Sequence, residues 1–328
     1  MKNVGYLFAT MLLCVTLLGC QKSGQPSGQS AAPSQAEAGA KRVIGLSVLT
    51  LTNPFFKEIA DALSDEASKN GYEVLVVSGE LDVAKQQNQV KDFIVKKVAA
   101  IVLTPCDSKS IGPVIQEANA AGIPVFTADI ACIAPEAKVV SHIATDNFAG
   151  GKQAAEALFE AVGGQGKVAV LDHPEVESAM LRTKGFQEKL AELNKLQNKN
   201  VEVVAVLPGL GARDKGFKVT QDLLQSHADL AGIFAVNDPS ALGAVAALEN
   251  AGKSGQIKVV GFDGQPEGKK AIRDGKIYAD PIQFPDRIGR QTLQTILKYF
   301  QGEQVEKQLL IPTALYRKAD AEKDASLK

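Results

Sequence analysis

The sequence has few of the side chains that usually carry catalysis or bind metals. Its three histidines, His142, His173 and His227, have no partner at the spacing of a metal site. It contains neither a phosphate-binding loop nor a Gly-x-Ser-x-Gly turn, and residues 209–211 (Gly-Leu-Gly) lack the third glycine of a dinucleotide fingerprint. We therefore expect a protein that is not an enzyme and that uses no cofactor or metal.

Long apolar runs and an excess of charge of one sign are also missing. No run reaches the length that spans a bilayer, and 36 basic residues nearly balance 37 acidic ones, for a formal net charge of −1. This balance gives no electrostatic reason to expect binding to nucleic acid or to an anionic membrane surface. With 328 residues, 45% of them hydrophobic, the chain is long enough for two ordinary globular domains.

The first 20 residues have the pattern of an export signal. Lys2 is followed by a mostly apolar stretch over residues 4–18, which closes with Leu-Leu-Gly-Cys at residues 17–20. This resembles a bacterial lipobox, in which the thiol of Cys20 would be acylated and anchor the protein to a membrane. A cleaved signal peptide without lipid and a short membrane anchor are the alternatives. Residues 21–41, rich in Gly, Ser, Pro, Gln and Ala, would form a flexible tether.

The rest of the chain alternates between apolar strands and amphipathic helices. Residues 43–51 form a nearly continuous apolar run, as in a strand buried on both faces, and further strands and helices follow in turn. Such alternation predicts an α/β fold with doubly wound parallel sheets, and there are enough strands for two. The break is expected near residues 141–147. A helix at 286–300 and an apolar segment at 308–312 would return to the first domain.

The first strand meets the first helix at Thr52-Asn53-Pro54-Phe55-Phe56. Open α/β sheets bind ligands at the carboxyl ends of their strands, so this joint is a candidate binding site. Asn53 is equally suited to cap the helix, and the phenylalanines to pack in the core.

Polar and aromatic side chains recur at the ends of the other predicted strands. Amide and carboxylate groups beside aromatic rings suit a ligand that has many hydroxyls and an apolar ring face. Aspartate and asparagine are also common there as helix caps, which is the alternative explanation. The residues at these strand ends are Asn53, Phe55, Phe56, Asp107, Asp129, Glu175, Asn237, Asp238, Phe262, Asp263 and Gln283.

Cys106 and Cys132 follow consecutive predicted strands, so both lie at the same edge of the first sheet if those strands are neighbours. Outside the cytoplasm they would either form a disulfide or remain as two partly buried thiols.

Several segments together resemble the ribose-type branch of the periplasmic sugar-binding proteins, the receptor subunits of ABC importers. The resemblance extends from about Arg42 to about Tyr316. It is carried by LTNPFF at 51–56, VSHIATDN at 140–147, AVND at 235–238, VGFDG at 260–264 and QFPD at 283–286.

The resemblance implies two doubly wound lobes joined by three hinge crossings, with a sugar bound between them. The first lobe would comprise residues 42–144 and 284–312, and the second residues 145–283 and 313–328. The protein would be a monomeric lipoprotein on the outer side of the cytoplasmic membrane, periplasmic in a Gram-negative cell, that passes a sugar or polyol to an ABC permease and its ATPase. A receptor for a membrane signalling or chemotaxis protein is the alternative. The implied ligand residues are Asn53, Phe55, Phe56, Asp129, Asn237, Phe262, Asp263 and Gln283.

Three positions depart from the ribose-binding pattern, because Leu49 replaces a serine and Ile130 and Met180 replace arginines. Asp129 and Asp263 would then face one ligand without an aligned arginine, and two desolvated carboxylates repel each other. A cationic or donor-rich ligand, a base such as Arg213, or an altered charge arrangement around Glu175 and Glu177 would offset this. The resemblance gives Arg182 a supporting role. We expect a sugar or polyol other than ribose, amino-substituted sugars included.

Overall fold

The computed structural model describes residues 42–327. Cys20 and the predicted tether lie outside these residues, so the predicted lipidation stays a prediction. Among the described residues, none of the helices combines the length and the apolar character needed to cross a membrane.

The first lobe is built on a six-stranded parallel sheet with the strand order β11-β5-β4-β3-β1-β2. Its elements are β1 (Arg42–Val48), α1 (Pro54–Lys69), β2 (Tyr72–Ser78), α2 (Val83–Val95), β3 (Ala100–Leu103), α3 (Gly112–Ala120), β4 (Val125–Ala128), β5 (His142–Thr145), α9 (Pro285–Phe300) and β11 (Gln308–Ile311).

The second lobe has a six-stranded sheet with the order β12-β10-β9-β8-β6-β7, in which β12 alone runs antiparallel to its neighbour. Its elements are α4 (Asn147–Ala161), β6 (Gln165–Asp172), α5 (Glu177–Gln197), β7 (Asn200–Pro208), α6 (Arg213–Ser226), β8 (Leu230–Ala235), α7 (Asp238–Asn250), β9 (Lys258–Val260), α8 (Pro266–Arg273), β10 (Ala279–Ile282), β12 (Ala314–Arg317), α10 (Lys318–Ala321) and a 3₁₀ turn (Ala325–Leu327).

Helices cover both faces of each sheet, which explains the continuous apolar runs in the strands. In β1, Ile44, Leu46 and Val48 are fully buried. Gly45 in the same strand lies against the ring of Phe93 on α2, where an added Cβ would come within 2.6 Å of ring carbons. The first strand thus packs closely against helices on both sides.

The chain passes between the lobes three times, after β5, after β10 and after β11. Two of these crossings are tied together, because the Thr145 hydroxyl donates a hydrogen bond to Gln283 Oε1 at 2.6 Å. The predicted fold class is confirmed: two doubly wound α/β lobes are joined by three hinge crossings.

Candidate functional site

A cleft of about 1120 Å³ is lined by side chains from both lobes. Its walls come largely from residues that follow strands, where the parallel sheets of both lobes present their carboxyl ends. Of the predicted ligand residues, the cleft brings together Asn53, Phe55, Phe56, Asp129, Asn237, Asp263 and Gln283.

Asn53 performs both of the roles considered for it. Its Oδ1 accepts a hydrogen bond from the backbone N–H of Phe55 at 3.0 Å and so caps α1. The same oxygen accepts a hydrogen bond from Nε2 of Gln265 in the second lobe, at 2.9 Å. The cap therefore positions a polar group in the cleft.

Phe55 and Phe56 likewise belong to both the core and the cleft. Their rings meet edge to face, with centroids 5.3 Å apart and an interplanar angle of 90°. They are only 4% and 5% exposed, yet both line the cleft. Rings held rigidly in this way provide an apolar surface for the carbon face of a sugar ring.

Asp129 presents a buried carboxylate to the cleft. The residue directly follows β4 and has a left-handed φ of 63°, a conformation that aspartate tolerates better than most residues. Its side chain is nearly inaccessible, and Oδ1 has no hydrogen-bond partner among the described residues. Burial raises the pKa of Asp129 to about 7; Arg182 lowers this pKa, whereas the nearby Asp263 and Glu177 raise it.

Asp263, in contrast, has several hydrogen-bond donors around it. Its Oδ1 accepts hydrogen bonds from Arg182 Nη1 at 3.0 Å and Gln283 Nε2 at 2.6 Å, and its Oδ2 accepts one from Gln265 Nε2 at 3.2 Å. Burial still raises the pKa of this carboxyl group, although Arg182 and the three hydrogen bonds lower it. Asp263 is therefore a buried, organised acceptor.

Arg182 is the counter-ion of Asp263. This role is more direct than the supporting one that the resemblance to ribose-type proteins implied. Its guanidinium group also donates to Asn147 Oδ1 at 2.8 Å and to the carbonyl of Val236 at 2.7 Å. The group lies over the ring of Phe262, 3.9 Å from its centroid. Arg213, the base considered at the sequence level, instead pairs with Glu267 at 2.8 Å at the exposed rim.

Phe262 is the predicted ligand residue that the structure does not place on the cleft surface. It is fully buried beneath Arg182, and an added Cβ on Gly150 would come within 2.5 Å of its ring. Its ring supports the guanidinium group that binds Asp263.

Asn237 lines the cleft but already uses both ends of its side chain. Its Oδ1 accepts a hydrogen bond from Ser240 N at 3.1 Å and caps α7, while its Nδ2 donates to the carbonyl of Gly211 at 3.0 Å. A ligand at Asn237 would use the second lone pair of Oδ1 or the remaining N–H.

The positions that depart from the ribose-binding pattern divide into two groups. Leu49 and Ile130 line the cleft and are 5% and 1% exposed, so they present apolar side chains where the ribose-binding pattern has polar ones. Met180 is not among the residues that line the cleft in the described part of the chain, and its neighbour Ala179 lies there instead.

Hydrogen bonds join the lobes on two sides of the cleft. Gln265, which the sequence analysis missed, bridges Asn53 of the first lobe and Asp263 of the second. On the other side, Ser108 N donates to the carbonyl of Glu175 at 2.9 Å, and the Ser108 hydroxyl accepts from Glu177 N at 2.9 Å. These bonds hold the lobes in a closed arrangement.

We expect Gln265→Leu to shift the equilibrium between closed and open lobes toward the open form. The substitution keeps the volume but removes one bridge between the lobes, which is worth about 1 kcal/mol, or roughly fivefold in the ratio of closed to open molecules. Small-angle scattering of the protein without ligand would show a larger radius of gyration for this variant. Gln256→Leu, at an exposed position outside the cleft, is the control. Equal radii for all three proteins would contradict this interpretation of Gln265.

Asp238 and Asp280 form a buried pair of carboxyl groups behind the cleft. Asp238 Oδ2 accepts from Gln265 N at 2.6 Å, and Asp280 Oδ1 accepts from Gly261 N at 3.0 Å. The remaining oxygens, Asp238 Oδ1 and Asp280 Oδ2, have no donor among the described residues. Burial, followed by the charge of Asp280, raises the pKa of Asp238 well above its ordinary value, so one proton shared between the pair explains the arrangement.

This pair predicts a pH dependence of stability. Because the pKa of Asp238 is higher in the folded than in the unfolded protein, folding binds a proton, and the resulting stability is lost as pH rises from about 4 through the folded-state pKa. Asp238→Asn removes this proton uptake. As pH rises from 5 to 7, the unfolding free energy of the variant, measured by urea titration, should increase by about 1–3 kcal/mol relative to that of the wild type. The exposed control Asp92→Asn should keep the wild-type dependence, and parallel curves for Asp238→Asn would contradict the shared proton.

Cys106 and Cys132 are free thiols in the structure, so the disulfide considered at the sequence level is not formed. Cys106 is buried, with Sγ 3.7 Å from the carbonyl oxygen of Leu49, and burial raises the pKa of its thiol to about 12. Its thiol is therefore protonated and packs against the loop that follows β1.

Comparison with known proteins decides the family. The sequence-family model for the periplasmic binding protein domain matches residues 44–304. The chain belongs to the periplasmic binding protein family. The ribose import binding protein of Escherichia coli K12 is 40% identical over 272 residues, which is 83% of this chain and 89% of that protein. The D-apiose import binding protein of Paraburkholderia graminis is 31% identical over 290 residues, covering 87% and 90% of the two chains.

Solved structures agree with the family. A solute-binding protein from Actinobacillus succinogenes with bound D-allose matches with a TM-score of 0.79 at 29% identity, over 87% of this chain and all of that one. A Bacillus halodurans protein with bound myo-inositol matches with a TM-score of 0.80 at 25% identity, over 89% of this chain and all of that one. The resemblance to ribose-type sugar-binding proteins is thereby confirmed. This periplasmic binding protein is a solute receptor of the ABC-transporter class, not an enzyme.

Proposed function

We propose that the protein is a lipid-anchored, extracytoplasmic receptor that binds a monosaccharide or related polyol between its lobes and delivers it to an ABC importer. The observation that carries the proposal is the cleft, in which the edge-to-face pair Phe55 and Phe56 lies together with the polar groups of Asn53, Asp129 and Asn237. Aromatic faces bind the carbon side of a sugar ring, and amide and carboxylate groups bind its hydroxyls. The relatives with bound D-allose and myo-inositol support this class of ligand.

The ligand we propose is not ribose. The ribose pattern expects a serine and an arginine where Leu49 and Ile130 line this cleft, and neither of these side chains can form a hydrogen bond. A ligand with hydroxyls at the ribose positions would leave them unpaired there, and each such buried group costs about 1–3 kcal/mol.

Transport requires the closed receptor to be recognised by its partners. Bound ligand adds contacts to both lobes and so favours closure, and the closed surface would dock on a permease that works with an ATPase. An acyl chain on Cys20 and a monomeric receptor complete the proposal. Labelling of cells with a radioactive fatty acid would test the anchor, since the wild-type protein should incorporate label and Cys20→Ala should not.

A thermal-shift screen tests the ligand class. The purified protein is heated with pentoses, hexoses, polyols and amino sugars, each at the same concentration. A ligand present at a hundred times its dissociation constant stabilises the folded state by about 2.7 kcal/mol, which shifts the melting temperature by several degrees. We expect at least one sugar or polyol to do this, and ribose to have a smaller effect. A strong shift with ribose alone would refute the specificity, and no shift with any compound would refute sugar binding.

A further inference from the structure

The charges that line the cleft do not balance. Four carboxylates and two guanidinium groups contribute to its walls. Each guanidinium has a carboxylate partner, because Arg182 pairs with Asp263 at 3.0 Å and Arg213 pairs with Glu267 at 2.8 Å. Of the remaining two carboxylates, Asp214 has a side chain that is 77% exposed and lies 3.9 Å from the ammonium group of Lys215. The other is Asp129, which is buried.

Asp129 is suited to a ligand that brings its own positive charge. It is 3% exposed, it lines the cleft, and its Oδ1 has no partner among residues 42–327. Glu177 of the second lobe is close enough to raise the pKa of Asp129, and its own Oε2 is buried without a partner in the described part of the chain. An acidic group of the second lobe therefore lies near Asp129, although Glu177 itself is not among the residues that line the cleft.

The wall of the cleft is largely apolar here, and Arg182, whose charge lowers the pKa of Asp129, is already bonded to Asp263. Leu49, Ile130, Val176 and Ala179 line the cleft and are each no more than 5% exposed. A neutral hydroxyl would donate one hydrogen bond to Asp129 but would bring no positive charge to stabilise the ionised form of its carboxyl group. An ammonium group supplies both the donors and the charge, and charge-assisted hydrogen bonds are about twice as strong as neutral ones.

We propose that the ligand is an amino or imino sugar whose protonated nitrogen binds the carboxylate of Asp129 while its carbon face lies on Phe55 and Phe56. The inference rests on the proposed function, since it specifies the class of sugar for the same cleft.

The test uses pairs of compounds that differ at a single position, where one compound has a nitrogen and the other an oxygen. The pairs are D-glucosamine and D-glucose, D-galactosamine and D-galactose, D-mannosamine and D-mannose, and 1-deoxynojirimycin and 1,5-anhydro-D-glucitol. Calorimetric titration of the full protein at pH 7 should show, for at least one pair, that the nitrogen compound binds at least tenfold tighter. A tenfold difference corresponds to about 1.4 kcal/mol.

Asp129→Asn separates charge from shape. Asparagine is isosteric and tolerates the left-handed φ of this position, so we expect the variant to fold, which its thermal melting verifies. In this variant the nitrogen compound should bind less than twofold tighter than its oxygen counterpart. The exposed control Asp65→Asn on α1 should keep the wild-type ratio of affinities. A preference that survives Asp129→Asn would show that another group binds the nitrogen and would overturn the assignment.

The remaining outcomes separate the amino-sugar inference from the proposed function as a sugar receptor. If oxygen compounds bind and their nitrogen counterparts bind no tighter, the amino-sugar inference is wrong and the sugar-receptor function stands. If none of these eight compounds binds, the amino-sugar inference is wrong, and the wider thermal-shift screen of pentoses, hexoses, polyols and amino sugars decides separately whether the sugar-receptor function stands.

Discussion

Arg182→Met is expected to lower the free energy of unfolding by about 3–5 kcal/mol, because it leaves a buried carboxylate without its counter-ion. Methionine preserves much of the side-chain volume but removes the hydrogen bonds to Asp263, to the carbonyl of Val236 and to Asn147. The guanidinium group is nearly inaccessible, with a side-chain exposure of 6%, so water does not replace these bonds. Urea titration of the purified protein at pH 7 measures the loss.

A second variant shows whether the charge of Asp263 is the cause. In the double variant Arg182→Met with Asp263→Asn the carboxylate is neutralised, and we expect it to recover a substantial part of the lost stability. Exposed Arg290→Met on α9, whose partner Asp286 is also accessible, should change stability by less than about 1 kcal/mol. If Arg182→Met also costs less than that, or if the double variant is as unstable as the sum of its single changes, the role assigned to Arg182 is wrong.

Gly151→Ala is expected to destabilise the protein by about 2–3 kcal/mol, although alanine is the better helix former. A Cβ at this position in α4 would come within 2.1 Å of the carbonyl oxygen of Arg182 on α5. The contact is with backbone, so no side-chain rotation relieves it. The two helices would have to separate, which would also displace Arg182 from Asp263.

Glu156→Ala in the same helix is the matched control for Gly151→Ala. Glu156 is exposed, and its ion pair with Lys189 at 3.2 Å is worth less than about 1 kcal/mol. Thermal melts should show a large drop for Gly151→Ala and little change for Glu156→Ala. Equal melting temperatures for Gly151→Ala and wild type would contradict the close packing of α4 and α5.

The sequence predicts the fold well because its strongest signals are local and repeated. The apolar run at β1 is continuous since helices cover both faces of the sheet, and the same logic repeats along the chain. The cleft follows from topology, because parallel strands present their carboxyl ends at one edge of each sheet. Asn53 is informative for this reason, since one oxygen both caps α1 and faces the second lobe.

The sequence is less informative where a side chain depends on distant parts of the chain. Arg182 lies 81 positions from Asp263, and Gln265 lies 212 positions from Asn53, so neither contact has a local signal. Phe262 matches the aromatic pattern of ligand residues, yet it is buried beneath Arg182. Cys106 and Cys132 share a sheet edge in prediction, but proximity along an edge does not fix the side-chain geometry that a disulfide needs.

The most direct test of sugar binding in the cleft is a crystal structure of the protein grown with the sugar or polyol that stabilises it most. We predict that the ligand ring lies on Phe55 and Phe56 between the closed lobes, with a polar group of the ligand bonded to Asp129. A ligand bound outside the cleft, or one in the cleft that leaves both the phenylalanine pair and Asp129 uncontacted, would contradict the account.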